Sequence, residues 1–385
     1  MDVVRPFWLK RIEQGWSHCP IVWLSGVRRV GKTTLAKSIE GAAYINCDLP
    51  RNREQLKQIE FFFENLKEPI VIFDEIHQLE NPSEVLKIGA DEFPDKRILA
   101  TGSSTLAATS KFSDSLTGRK RTVHLSPVIS TELEAFERPL LNDRLLRGGM
   151  PQMLINATED PEFYSEWLDS FYARDIQELF RVSKRYEFLK LCEILMRQNG
   201  GLAEITSLAK HSGLTRPTVS NYLNILEASH FIHILRPFHA GGRREILSQP
   251  KIYAFDTGFV AYYRGWNELR PTDCGSLFEN LVLDVLQAYF PEQKLQFWKD
   301  KQNREIDFVL PGGRNRYDAI ECKWSLRTKT TRNFEAFRNN YPDGYNYMVT
   351  AEKITIRKEL LGDLTVFLCH IDDLPELIHQ NRRKS

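Results

Sequence analysis

Three constellations of residues have types and spacings that could do chemistry. The first is Gly26-Val27-Arg28-Arg29-Val30-Gly31-Lys32-Thr33-Thr34, which has the form GxxxxGK[ST]. It follows the apolar run Ile21 to Leu24 and opens a helical pattern from Thr34 to Ile39, the strand, loop and helix setting that such a loop requires. Its glycines let backbone N–H groups curl around phosphate oxygens, Lys32 offers a cation to β and γ phosphates, and the Thr33 hydroxyl is a Mg²⁺ ligand. Some forty residues on, the run Pro69 to Phe73 ends in Asp74-Glu75. At the end of a buried strand, Asp74 would hold Mg²⁺ through water and Glu75 would polarise an attacking water. Together these residues predict ATP and Mg²⁺ as cofactors. A third strand, Lys96 to Ala100, runs into Thr101-Gly102-Ser103-Ser104, where Ser103 is the candidate γ-phosphate sensor and a capped turn is the other reading. Arg119 is either an arginine finger offered to a neighbouring subunit's nucleotide or part of a solvated basic patch with Lys120 and Arg121.

The second constellation lies near the C-terminus. Arg304 to Leu310 alternates strictly, which predicts Glu305, Asp307 and Val309 on one sheet face and Ile306, Phe308 and Leu310 on the other. Fourteen residues after Asp307, Glu321 and Lys323 share a face opposite Ile320, Cys322 and Trp324. An acidic residue facing E-x-K on the next strand can hold Mg²⁺ and orient a water against a phosphodiester. Asp307 and Glu321 are then metal ligands and Lys323 the catalytic cation, with exposed strand charges as the other reading. The arrangement resembles that of the PD-(D/E)xK nucleases, and the resemblance implies Glu279, on an amphipathic helix from Leu277 to Tyr289, as the extra carboxylate of that fold for the same metal. Burying Glu305, Asp307, Glu321 and Lys323 on one interior face would be costly unless a cation or phosphate met them.

The third constellation is a helix-turn-helix between Leu202 and Leu226. Ile205, Leu208 and Ala209 form one apolar face, His211-Ser212-Gly213 the turn, and Thr215 caps a second helix with Pro217 in its first turn. That second helix carries Arg216, Thr218, Ser220 and Asn221, side chains able to reach bases or phosphates, and His230 to Arg236 reads as the strand of a wing. Arg243 and Arg244 add charge nearby. DNA contact and protein contact both fit such a module.

The elements that must position these groups follow from patterning. From Pro20 to about Ser126 short apolar runs alternate with helical patterns, the rhythm of a parallel sheet with crossover helices. From Glu132 to Phe238 the pattern is mainly helical, and from Lys251 strand-like runs return, giving a second α/β domain with the paired glycines Gly241-Gly242 at the boundary. The expected domains are 1–150, 151–240 and 241–385. A chain of 385 residues accommodates them, and 42% hydrophobic with 27% charged residues describes folded protein. With 52 basic against 51 acidic side chains, no global field draws the chain to nucleic acid, so any DNA contact must be local. The six cysteines lack zinc-site or disulfide spacing, no apolar run is long enough to span a membrane, and the N-terminus lacks the features of a secretory signal, so a cytoplasmic location is expected.

Taken jointly, GVRRVGKTT, VIFDEIH, ILATGSS, LTGRKRTVHLSPVISTE, GGMPQML, FYARDI, KIYAFDTGFVAYY, GSLFENLVLDVL, EIDFVL and AIECKWS give the chain a resemblance over almost its whole length. It resembles a prokaryotic family of AAA-type ATPases that join an ATPase domain, a winged helix and a C-terminal domain of unknown function with a PD-(D/E)xK nuclease-like fold. It departs from that family in having LSPVIS where Pro-Leu-Ser is usual, which touches no catalytic group. The resemblance implies an α/β P-loop ATPase domain, a helical and winged-helix middle, and a restriction-endonuclease-like α/β domain. It also implies a ring-like oligomer and DNA, branched or structured, as partner. A hexamer is expected by analogy with AAA proteins alone. The rival expectation is an ATP-gated transcriptional or defence regulator whose C-terminal domain is only an oligomerisation platform.

Overall fold

The computed structural model describes residues 3–102, 116–156, 160, 162–177, 180, 182, 184–239, 249–313, 315–327 and 330–383. By internal packing the chain forms two compact units, one of Met1–Ser126, Met150–Arg185 and Asn224–Phe231, the other of Pro127–Gly149, Tyr186–Leu223 and Ile232–Ser385.

The first unit is built on five parallel strands: β1 (Ile21–Ser25), β2 (Ala42–Asn46), β3 (Ile70–Asp74), β4 (Arg97–Thr101) and β5 (Lys120–His124), in the order β2-β3-β4-β1-β5. Strand β1 is buried throughout, as the unbroken apolar run IVWL requires of a central parallel strand. Ile21, Trp23, Val71, Phe73, Ile98 and Ala100 project into a core completed by Phe63, Val85 and Leu86. Because all five strands run the same way and β4 lies between β1 and β3, the loop after β1, the carboxylates after β3 and the end of β4 emerge at one sheet edge. The helix after the loop spans Lys32–Lys37, two residues earlier than the sequence pattern suggests.

The helix Ile205–Ser212 of the second unit and the helix Arg216–Ala228, which belongs to that unit as far as Leu223, flank Gly213, which takes a left-handed conformation with φ of 78°. Strands β6 (Gly201–Leu202), β7 (Ile232–Pro237) and β8 (Lys251–Ala254) pair antiparallel in the order β7-β8-β6. Strand β9 (Gln296–Lys299) then joins β7 in parallel, extending one nine-stranded sheet through β10 (Glu305–Gly313), β11 (Arg316–Lys323), β12 (Asn346–Thr350), β14 (Leu364–His370) and β13 (Arg357–Leu361). A helix, Pro271–Tyr289, packs against β11 and begins six residues before the expected Leu277.

The strict alternation expected for Arg304 to Leu310 does not hold. The pairing of β10 with β9 slips between Ile306 and Val309, and both residues enter one core cluster with Trp298, Ala319 and Phe337. An extra residue in a strand reverses the facing beyond it, so Val309 parts company with Glu305 and Asp307.

His233 on β7 lies 3.9 Å from Asp284 Oδ1, and burial pushes its pKa down to about 4. Between that value and the ordinary histidine value of about 6.5, the unfolded chain binds a proton that the folded chain refuses. Stability present at neutral pH is therefore lost as the pH falls through this window, by on the order of 3 kcal/mol when complete. Denaturant midpoints measured from about pH 7 down to about pH 4 should fall, and His233→Gln should flatten that limb.

Candidate nucleotide site and carboxylate cluster

The loop between β1 and the helix Lys32–Lys37 is shaped by its glycines. Gly26 has φ of 149°, and a Cβ there would lie 2.6 Å from the Leu125 carbonyl oxygen; Gly31 has φ of 101°. Any other residue at Gly26 would push the loop away from the Leu125 carbonyl, just past the end of β5. Val27 and Val30 are buried, pinning the loop to the core, whereas Arg29 and Thr34 are exposed. Lys32 folds back into the loop, its Nζ donating to the carbonyls of Gly26 at 2.8 Å and Val27 at 3.0 Å. Burial lowers its pKa, with Glu75, Asp175 and Asp74 pulling the other way. Arg28 Nε pairs with Asp175 Oδ2 at 3.0 Å, and the Trp167 indole N–H donates to the Arg28 carbonyl at 2.9 Å.

Asp74, 2% exposed, gathers hydroxyls from three elements. Its Oδ2 accepts from Thr33 at 2.9 Å and from the Tyr44 phenol at 2.5 Å, and its Oδ1 accepts from Thr101. Burial first, then the Asp74 carboxylate, raises the Tyr44 pKa, so this phenol stays a donor. The Thr101 hydroxyl also accepts the Glu75 N–H at 3.0 Å. That bond helps hold Glu75 in a left-handed conformation, φ 55° and ψ 44°, which costs a residue with a Cβ roughly 1–2 kcal/mol. Glu75 Oε2 lies 3.2 Å from His77 Nδ1. A cavity of about 460 Å³ is lined by Gly26, Arg28, Lys32, Thr33, Glu75 and Asp175. An oxygen pair from Thr33 and Asp74 beside a lysine and a loop of backbone N–H groups fits a Mg²⁺-bound polyphosphate.

Lys32, Thr33, Asp74 and Glu75, each singled out in the sequence, are thus brought together. Ser103 lies outside the described residues. Thr101, two residues before it, makes the contacts to Asp74 and Glu75, and its place as the last residue of β4 was the available signal. Tyr44 and Asp175 were missed, because a tyrosine in an ordinary strand and an aspartate in a helical stretch have no local signature. Arg119 is paired bidentately with Asp91, at 2.6 Å and 3.0 Å.

In the second unit Glu279, Glu305 and Asp307 place one carboxylate oxygen each within 4.8 Å of one another. Glu321 is not part of that set. Its oxygens are taken by Lys323 Nζ at 2.7 Å and Asn333 Nδ2 at 2.9 Å. Asp307 Oδ2 accepts the Cys322 N–H at 2.7 Å. Burial, then Glu279 and Glu321, push the Asp307 pKa well up, against Lys251 and Lys323. Lys251, given no site role by the sequence, donates to Glu279 at 2.9 Å and to Glu305, and Lys299 reaches the other Glu305 oxygen at 2.9 Å. The Tyr253 hydroxyl also donates to Glu279. The carboxylates outweigh burial and raise the Lys251 pKa, keeping it an ammonium. On the helix Arg216–Ala228, Arg216 and Asn221 are exposed and Thr218 and Ser220 half-buried. Arg243 and Arg244 lie outside the described residues. Among the described residues no helix is long and apolar enough to cross a membrane.

Two curated relatives, the uncharacterized proteins Mb2031c of Mycobacterium bovis and Rv2008c of Mycobacterium tuberculosis, are each 27% identical over 312 residues, 78% of this chain and 69% of theirs. Among solved structures, the Walker-type ATPase PABY2304 of Pyrococcus abyssi is 19% identical with a TM-score of 0.44, covering 67% of this chain and 94% of that one. AMPPCP-bound DnaA from Aquifex aeolicus is 14% identical with a TM-score of 0.29, covering 57% and 85%. Residues 138–270 match a domain of unknown function (DUF8612) and residues 274–366 another (DUF4143). The phosphate loop, Asp74, Glu75 and Thr101 all fall within residues 18–134, which match the AAA domain.

Proposed function

We propose that the chain is a Mg²⁺-dependent ATPase that acts on DNA. The observation that carries the first half is Asp74, whose carboxylate holds the Thr33 hydroxyl at 2.9 Å beside the lysine-bearing loop. In this reading Lys32 and the backbone from Gly26 to Thr34 bind the phosphates, Thr33 and Asp74 hold Mg²⁺, and Glu75 polarises the attacking water. Ser103 keeps the sensing role, two residues after Thr101, which couples Asp74 to the Glu75 backbone. Phosphate release with MgATP, abolished by chelation of the metal, is the direct test; turnover unchanged by the chelator would overturn the metal assignment.

The DNA half rests on the exposed Arg216 and Asn221 of a helix that follows a glycine turn, and on the strand order β7-β8-β6, that of a winged helix. One arginine on that helix is little charge, so affinity must draw on other basic groups of the chain, Arg243 and Arg244 among them. Binding to duplex, single-stranded, forked and four-way DNA should favour the branched forms whatever their sequence, and Arg216→Ala should weaken all of them alike. Preference for one duplex sequence would instead identify a regulator. A ring, hexameric by analogy with AAA proteins, lets Arg119 act on a neighbour's nucleotide once it leaves Asp91. Mixing Arg119→Ala with Glu75→Gln subunits should then restore some turnover, because some sites combine an intact Glu75 with a neighbour's intact Arg119. If both variants assemble and no mixture recovers activity, Arg119 does not act in trans.

A further inference from the structure

The carboxylates near the C-terminus invite a metal, yet donors of the chain itself already meet each of them. Glu305 has an ammonium on each oxygen, Lys251 on Oε1 and Lys299 at 2.9 Å on Oε2. Glu279 Oε1 receives Lys251 at 2.9 Å together with the Tyr253 hydroxyl. Asp307 receives the Cys322 N–H, and Glu321 receives Lys323 and Asn333. Lys251 is only 5% exposed, and its ammonium touches two of the three carboxylates whose oxygens lie within 4.8 Å of one another. It therefore occupies the space, and supplies the charge, that a cation bound by these three groups would.

We propose that the Lys251 ammonium is the resident cation of the Glu279–Glu305–Asp307 cluster and excludes divalent metal from it, so that the second unit holds nucleic acid without cutting it. The last clause rests on the nuclease-like reading of this unit, whereas the assignment of the cation does not. Mg²⁺ demands near-octahedral oxygen ligands and gives up its own water reluctantly, so it competes poorly for carboxylates whose lone pairs are engaged. A side-chain ammonium tethered by β8 competes intramolecularly and loses no translational freedom when it binds. Charge is met as well: Lys251 and Lys299 balance Glu279 and Glu305, and Lys323 balances Glu321. This explains how three of the four carboxylates gathered in one unit are tolerated in a folded chain, while Asp307 is met by the Cys322 N–H.

Mn²⁺ serves as the probe, its binding counted by electron paramagnetic resonance on the full chain without nucleotide. Wild type and Glu279→Gln should bind Mn²⁺ alike, because no metal sits at the cluster in either. Lys251→Met should gain one Mn²⁺ site that the wild type lacks, because the competing ammonium is gone from among the carboxylates. Adding Glu279→Gln to Lys251→Met should abolish that gain. A wild-type Mn²⁺ site that Glu279→Gln releases would overturn the proposal, and this comparison decides the matter even where Lys251→Met fails to fold. A Lys251→Met protein with unchanged circular dichroism and melting but no new site would overturn it too. Failure to bind any DNA would count against the nucleic-acid reading alone and leave the Mn²⁺ outcome as it stands.

Discussion

Glu75→Gln is expected to keep ATP bound while turnover falls by about 10²–10⁴-fold, the contribution of a positioned general base. The amide keeps the shape of the carboxylate and its reach toward His77, 3.2 Å away in the wild type, but cannot polarise a water as a base does. Backbone placement should survive, because the Glu75 N–H bond to Thr101 does not involve the side chain. Lys32→Ala is expected to fail one step earlier. Its ammonium lies on the cavity wall beside the loop that it braces through the Gly26 and Val27 carbonyls, so its loss removes both phosphate charge and loop support. A fluorescent ATP analogue reports binding and phosphate release reports turnover. The two variants should separate cleanly: Glu75→Gln binds and does not turn over, while Lys32→Ala does neither. Wild-type turnover in Glu75→Gln would place the base elsewhere.

These assignments could be read from the chain because the phosphate loop and the strand ending in two carboxylates each carry their own local pattern, and a parallel sheet brings the same ends of its strands together. What could not be read was the traffic between elements. Tyr44 reaches Asp74 because β2 lies beside β3, and nothing around Ala42–Asn46 announces that neighbour. Thr101 reaches Asp74 and the Glu75 N–H because β4 runs one residue further, to Thr101, than its apolar run suggests. In the second unit the facing of Val309 was drawn from strict alternation, and one slip in register between Ile306 and Val309 undid it, while Asp307 stays within electrostatic reach of Glu321 and Lys323. Lys251 was invisible for a different reason. A lysine at the start of a strand is ordinarily a solvated charge, and only the approach of Glu279 and Glu305 from other elements makes it an internal cation.

A second large effect is expected at Arg144, whose side chain is wholly buried in the second unit. Its guanidinium donates to the Val128 carbonyl at 2.6 Å and the Thr257 hydroxyl at 2.9 Å, and reaches Asp284 at 3.4 Å. Gly148 and Gly149 are small because of this network. A Cβ on Gly149 would lie 2.6 Å from the guanidinium, and one on Gly148, where φ is 78°, would lie 2.0 Å from the Asp256 carboxylate. Arg144→Met should cost about 3–5 kcal/mol, because it leaves the buried Asp284 carboxylate and the Val128 carbonyl without their donor. The loss should depend on pH in a stated direction. Burial already raises the Asp284 pKa well above the usual carboxylate range, with Arg144 the opposing influence. Without Arg144 the folded-state pKa rises further above the unfolded value, so the folded chain binds the proton more tightly and its stability falls as the pH rises through that interval. Denaturant midpoints should therefore show the variant closest to wild type in mild acid and furthest from it in mild base. Adding Asp284→Asn to Arg144→Met should narrow the gap in base, since the amide carries no charge to bury. A deficit that stays constant with pH would mean that Arg144 acts through packing, and that Asp284 does not need its charge.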